Sequence, residues 1–212
     1  MIRLMLEVID IPTDVMERSI PAEVRSWVHD ARLRIQTFQD RWDRPQIEQF
    51  VASDYELVYQ TLDWIVAAKL AEGSRFLEWG CGFSVVCALA ARLGFDVVGI
   101  EAEAELLAEG RKTISQWQQP VELCWGNFLP AGAEAMADDP TLPSLGHPVE
   151  DAYEALGLDI DDFAIIFAYP WPGEEDFLRA VFQRFARPGA LLLQFCGPYD
   201  LRLWRQTDRR SR

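Results

Sequence analysis

The sequence predicts an α/β protein, a doubly wound and mostly parallel sheet of five to seven strands with an N-terminal helical layer. Three observations carry this expectation. Short apolar runs such as "DVVGIE" and "ALLLQF" lack clean alternation, as strands buried on both faces do. Helical stretches fill the intervals between them, so strand and helix alternate from residue 75 onward and imply right-handed crossovers. Before that point the pattern is helical alone, which divides the chain into a helical segment at 1–72, packed on the core, and a sheet domain at 73–212.

Residues 20–42 form the first predicted helix, because Val24, Trp27, Val28, Ala31, Ile35, Phe38 and Trp42 recur at three- and four-residue spacing behind Pro21. A second helix opens at "SDYE", where Ser53 and Glu56 have the spacing of a capping box, and runs to Gly73. "RFLEW" is a strand and "SVVCALAARLG" a helix closed by Gly94. "DVVGIE", "AELLAEGRKTISQW" and "VELCWGN" continue the alternation. After an interruption come strand "DFAIIFAY", helix "EEDFLRAVFQRFA", the turn "RPG" and strand "ALLLQF". The interruption, residues 131–162, holds nine acids (Glu134, Asp138, Asp139, Glu150, Asp151, Glu154, Asp159, Asp161 and Asp162) and no Lys or Arg. It reads either as a lid over a site or as a solvated insertion.

The composition narrows the function classes. A formal charge of −14 on 212 residues sets the chain against nucleic acid and anionic lipid, and the basic tail "RQTDRRSR" is too short to reverse that. No apolar stretch has the length of a membrane span, and acids interrupt the opening residues where a signal peptide needs none. Cys81, Cys87, Cys124 and Cys196 form no CxxC pair, and only His29 and His147 are present. Reduced thiols in a cytoplasmic protein without a metal centre are expected.

"FLEWGCGFS" carries the chemistry. Glu78 ends a buried strand and Gly80 and Gly82 bend the chain away, at the place where open parallel sheets bind ligands. Missing side chains let backbone approach a ligand, and positive φ costs glycine little. Glu101, ending the next strand, is suited to accept two hydrogen bonds from a ribose diol. A nucleoside cofactor satisfies both features. Val85 occupies the third glycine position of the dinucleotide fingerprint, which weakens the case for NAD or FAD. A carboxylate before the turn also suits a cationic ligand better than a pyrophosphate.

These motifs resemble those of class I S-adenosylmethionine-dependent methyltransferases. "FLEWGCGFS" is similar to their acid-GxG turn, "VVGIEAE" to their second-strand acid and "GNF" to the segment lining the adenine. "YPWPGEE" and "RPGALLLQF" stand where their fourth-strand motif and following strand do, so the resemblance spans about residues 50–196. It implies S-adenosylmethionine as cofactor. Glu78, Gly80 and Gly82 would cradle its methionine end, Glu101 its ribose, and Asn127 and Phe128 its adenine. Phe50, Ser53 and Tyr55 fall where related enzymes close over the cofactor. Each has a plainer reading: Glu101 as a first-turn acid, Asn127 as a turn former, Phe128, Phe50 and Tyr55 as packing residues, Ser53 as a cap.

On the acceptor side the resemblance points to Tyr169, Trp171 and Glu174, although Glu174 also suits the first turn of a helix. The order Tyr-Pro-Trp-Pro lacks the Asp, Asn or Ser with which nucleic-acid amino methyltransferases hold a base. A small-molecule or protein acceptor is expected, such as an amine or a lysine. A non-catalytic nucleoside-binding scaffold is the alternative, because family members continue into a helix and an antiparallel strand pair. Residues 196–212 leave room for one edge strand. The tryptophan-rich N-terminal helices are expected to cover the sheet or to build a homodimer face.

Overall fold

Alternation from residue 75 resolves into a seven-stranded sheet in a computed structural model that describes residues 3–41, 50–147 and 152–209. Trp42 of the predicted first helix, Glu150 and Asp151 of the insertion and the end of the basic tail lie outside the described residues. The elements are β1 (Arg3–Ile9), α1 (Ala22–Gln39), α2 (Tyr55–Ala67), β2 (Arg75–Trp79), α3 (Val85–Arg92), β3 (Asp96–Glu101), α4 (Ala104–Trp117) and β4 (Val121–Trp125). They continue with α5 (Ala152–Leu156), β5 (Ile165–Ala168), α6 (Glu175–Phe185), β6 (Leu191–Gly197) and β7 (Asp200–Arg209).

The sheet order is β1-β7-β6-β5-β2-β3-β4. Strands β2 to β6 are parallel, with Glu78 opposite Gly99 and Phe167, whereas β7 runs antiparallel to both β6 and β1. Both faces are covered, which explains the missing alternation. Phe76, Val97, Ile165 and Leu191 pack under α1 to α4, while their neighbours Leu77, Val98, Ile166 and Leu192 pack under α6 and the 131–162 segment.

Two expectations are corrected, and a third, left open between two readings, is narrowed. The opening residues are not part of a purely helical segment: β1 pairs along its whole length with β7, Arg3 opposite Arg209 and Ile9 opposite Leu203. The C-terminal residues are not a single edge strand closing a shorter sheet. A hairpin at Gly197–Asp200, with Tyr199 at φ 62, sends β7 straight back along β6, and β1 takes the outer edge. An N-terminal strand thus supplies the outer member of the antiparallel pair. The insertion, finally, is folded cover. It forms 3-10 turns at Glu134–Met136, Pro143–Leu145 and Ile160–Asp162 around α5, and buries Ala133, Ala152, Tyr153 and Ile160 in the second core.

Helix ends also differ from expectation. Asp54, not Ser53, caps α2, its carboxylate accepting from the Leu57 amide at 3.3 Å. The helix stops at Ala67, well before Gly73, because Lys69 adopts φ 53 while the Leu70 and Lys69 amides return to the Ile65 and Val66 carbonyls. That is the paired hydrogen bonding of a Schellman ending, with lysine in the position glycine usually takes. α1 buries Val24, Val28, Ala31, Ile35 and Phe38 where it packs on α2 and α3, and Trp27 stacks on Trp117 of α4 with ring centroids 5.1 Å apart. The N-terminal helices therefore pack on α3 and α4.

Candidate functional site

The chain turns at the end of β2 through Gly80 (φ +67) and Gly82 (φ +50), both in the left-handed region that favours glycine. The Cys81 amide continues the ladder to the Ile100 carbonyl at 2.9 Å, so the turn stays locked to β3. A Cβ on Gly82 would stand 2.8 Å from the Phe50 ring, which lies across the turn and stacks on Phe83. Ser84, at φ 56 and buried, completes the bend and leads into α3.

This turn forms the floor of a cavity of about 380 Å³ at the carboxyl ends of β2, β3 and β5. Glu78, 5% exposed, directs one carboxylate oxygen to the Cys87 amide at 2.8 Å and so satisfies a donor in the first turn of α3. Burial pushes its carboxyl up to about 8. The hydrogen bonds from Cys87 oppose that rise and the charge of Glu101 adds to it. Glu101 is buried beside it, and burial raises its carboxyl too, against the pull of two backbone amides. Those amides are Gly82 at 2.7 Å and Glu103 at 2.9 Å, one on each oxygen. Glu101 therefore holds the glycine turn in place. A carboxylate has about four lone-pair sites, so two remain for a ligand.

Asn127 and Phe128 follow β4 and line the same cavity. The Asn127 side-chain carbonyl accepts from the Leu129 amide at 2.9 Å, the turn-forming role, and Phe128 stacks on Trp79 at 5.5 Å. Tyr153 of α5 locks that stack: its hydroxyl accepts from Trp79 Nε1 at 3.0 Å and donates to the Phe128 carbonyl at 2.9 Å. Phe50, Ser53 and Tyr55 also line the cavity. Burial, reinforced by the Glu78 charge, drives the Tyr55 hydroxyl far above its ordinary range.

Tyr169, Trp171 and Glu174 reach the cavity from the end of β5. Tyr169 packs edge-on against Phe195 at 4.8 Å, and burial raises its hydroxyl, which remains a donor at neutral pH. Glu174 is buried with both oxygens engaged, one by the Ser144 amide at 2.7 Å and the other by the Trp171 amide at 3.3 Å. All twelve residues singled out from the sequence thus line one cavity. Trp79, Glu103, Ser144, Tyr153 and His147 belong to the site or its wall and were not singled out for it. For Trp79 the available signal was its place inside "FLEWGCG"; the 131–162 segment held only the general hint of a lid. Among the described residues no Lys or Arg lines the cavity, and no cluster of metal-binding side chains occurs. The cysteines are free, and no helix among the described residues is long and apolar enough to cross a membrane.

No protein-family model matches the chain, and no curated protein matches it. Solved structures do resemble it. The SAH-bound methyltransferase of Podospora anserina aligns with a TM-score of 0.50 at 16% identity, over 85% of this chain and 65% of that one. The O-methyltransferase of Bacillus cereus in complex with SAH gives 0.50 and 16%, over 85% and 69%. With its parallel strands, antiparallel partner and flanking helices in the same arrangement, the chain has the Rossmann-like fold of the class I S-adenosylmethionine-dependent methyltransferases.

Proposed function

We propose that the protein is an S-adenosylmethionine-dependent methyltransferase acting on a neutral or cationic acceptor, an amine of a small molecule or of a protein side chain. The observation that carries this reading is the placement of Glu78 and Glu101 on adjacent strand ends around the Gly80–Gly82 turn, in a cavity with no Lys or Arg among its described lining residues. The residues fit such a cofactor. The cavity falls within the size range of small-molecule sites. Glu101 retains lone pairs for a ribose diol, Phe128 and Trp79 offer stacked aromatic surface for a base, and the bare turn admits a close ligand. When bound, S-adenosylmethionine supplies a methyl group activated by its sulfonium, a displacement that chiefly demands alignment and exclusion of water.

The chain's own groups then have distinct tasks. A cationic ligand draws Glu78 and Glu101 toward their charged forms, and those forms in turn favour its positive charge. Trp171 presents an aromatic ring to a cationic acceptor, and Tyr169 offers a hydroxyl donor beside it. The same glutamates, with the charge of −14, disfavour phosphate-bearing acceptors such as nucleic acids. A cytoplasmic setting and a homodimer through the N-terminal helices belong to this reading; light scattering tests the latter.

A thermal-shift titration with S-adenosylmethionine, S-adenosylhomocysteine and NAD tests the cofactor. The first two are expected to raise the midpoint and NAD to leave it unmoved; the reverse result ends the reading. Transfer of a labelled methyl group to small amines and lysine peptides, with carboxylates as controls, then tests the acceptor. One observation favours the rival reading of a non-catalytic nucleoside-binding scaffold: both oxygens of Glu174, the buried acid nearest the acceptor loop, are already held by backbone amides of the surrounding loops. Binding without transfer to any of these acceptors supports the scaffold.

A further inference from the structure

The acidic insertion touches the cavity through a short stretch, Pro143, Ser144 and His147, and that stretch is fastened at both ends. On one side His147 Nδ1 lies 3.6 Å from a carboxylate oxygen of Glu103, just beyond the end of β3. On the other side the Ser144 amide donates to Glu174, just beyond β5. In the sheet, β3 and β5 are the two neighbours of β2, whose end carries the glycine turn. A segment joined to both must cross above that turn. Pro143–Leu145 is a 3-10 turn, so the stretch from 144 to 147 is compact and the Glu103 and Glu174 side chains supply the rest of the span.

Glu174 does more than hold one end. Its second oxygen takes the amide of Trp171, so one buried carboxylate ties the insertion to the loop that carries the aromatic acceptor-side residue. Backbone donors given to a buried carboxylate have no cheap alternative, since losing the acceptor leaves them unsatisfied.

We propose that residues 143–147 are a strap across the mouth of the cavity and that Glu174 is the positioning residue that fastens it to the Trp171 loop, so that escape of a bound nucleoside depends on release of this clasp. The proposal rests on the nucleoside-binding reading of the cavity for its ligand, and for its mechanics on the two hydrogen bonds of Glu174 and the His147–Glu103 contact. Two measurements separate these. Hydrogen exchange on the protein alone follows the Ser144 and Trp171 amides. In Glu174→Ala both are expected to lose protection together by about tenfold or more, while amides of β2 and β3 keep theirs. Stopped-flow binding of S-adenosylhomocysteine then reads the gate. Its dissociation rate is expected to rise about tenfold in Glu174→Ala with an association rate equal to or above that of the unchanged protein, and Glu174→Gln, which keeps one acceptor oxygen, is expected to fall between. A residue needed only for stability would lower the unfolding midpoint without this split. Should Glu174→Ala not fold, Glu174→Gln carries both measurements. Unchanged exchange at either amide, or an unchanged dissociation rate in a folded variant, overturns the strap. Absence of any S-adenosylhomocysteine binding by the unchanged protein overturns the nucleoside reading and with it the gate, while the exchange result still decides whether the clasp exists.

Discussion

Gly82 shows how much the site depends on one absent side chain. Its φ of +50 and the Phe50 ring, 2.8 Å from where a Cβ would stand, combine backbone strain with a clash. Gly82→Ala is expected to lower stability by about 1–2 kcal/mol from the backbone alone, measured by urea unfolding. Its S-adenosylhomocysteine affinity is expected to fall at least about tenfold, because Phe50 must leave the turn. Glu78 makes a second prediction. Its folded carboxyl, near 8, lies above that of an unfolded chain, so the folded protein holds a proton that the unfolded chain has released. The stability this contributes is complete below the ordinary carboxylate range and is lost as pH rises through about 8. Urea midpoints of the ligand-free protein are expected to fall between pH 5 and 9, and Glu78→Gln is expected to flatten that slope; equal slopes would refute the assignment. Both residues were legible from their motif. Their mutual support was not: that Glu101 would grip the Gly82 amide follows from the register of β2 and β3.

At the level of elements, α2 tests how far local signals reach. Ser53 and Glu56 have the spacing of a capping box, yet Asp54 supplies the cap, one residue further on. The two positions offer equally competent oxygens, and the angle at which the chain enters from Phe50, held across the glycine turn, chooses between them. Asp54→Ala is expected to cost about 1 kcal/mol and Ser53→Ala a few tenths at most, by denaturant unfolding. Equal losses would mean that Ser53 shares the cap. The end of α2 carries the same lesson. Gly73 is the natural stop by residue type, but Lys69 takes the positive φ four residues earlier, where the chain must turn toward β2.

Across the whole molecule the antiparallel margin of the sheet is the unexpected feature. β7 is ten residues long and sits between β6 and β1, so among the described residues the N-terminal strand covers its outer edge. An uncovered edge of that length is a template for pairing with another chain. Removing residues 1–11 is therefore expected to lower the unfolding midpoint by several degrees and to produce concentration-dependent association in light scattering. A truncated protein that stays monomeric with an unchanged midpoint would show that β1 is dispensable. The covered sheet also carries the site, because the insertion and α6 pack on the same face that places Trp79 and Tyr153 beside Phe128.

The parallel core, its order of strand and helix, and the group of residues around the glycine turn were readable from the chain, since each rests on contacts between near neighbours: apolar runs, helical spacing, an acid before two glycines. Pairing between distant segments was not. Residues 3–9 find their partners about two hundred positions away and carry no local mark of it, and Glu174 looks like any first-turn acid until the fold brings Ser144 to it across thirty residues. Side-chain type and spacing are local quantities, whereas the choice among equally competent donors and acceptors is made by the geometry that brings them together.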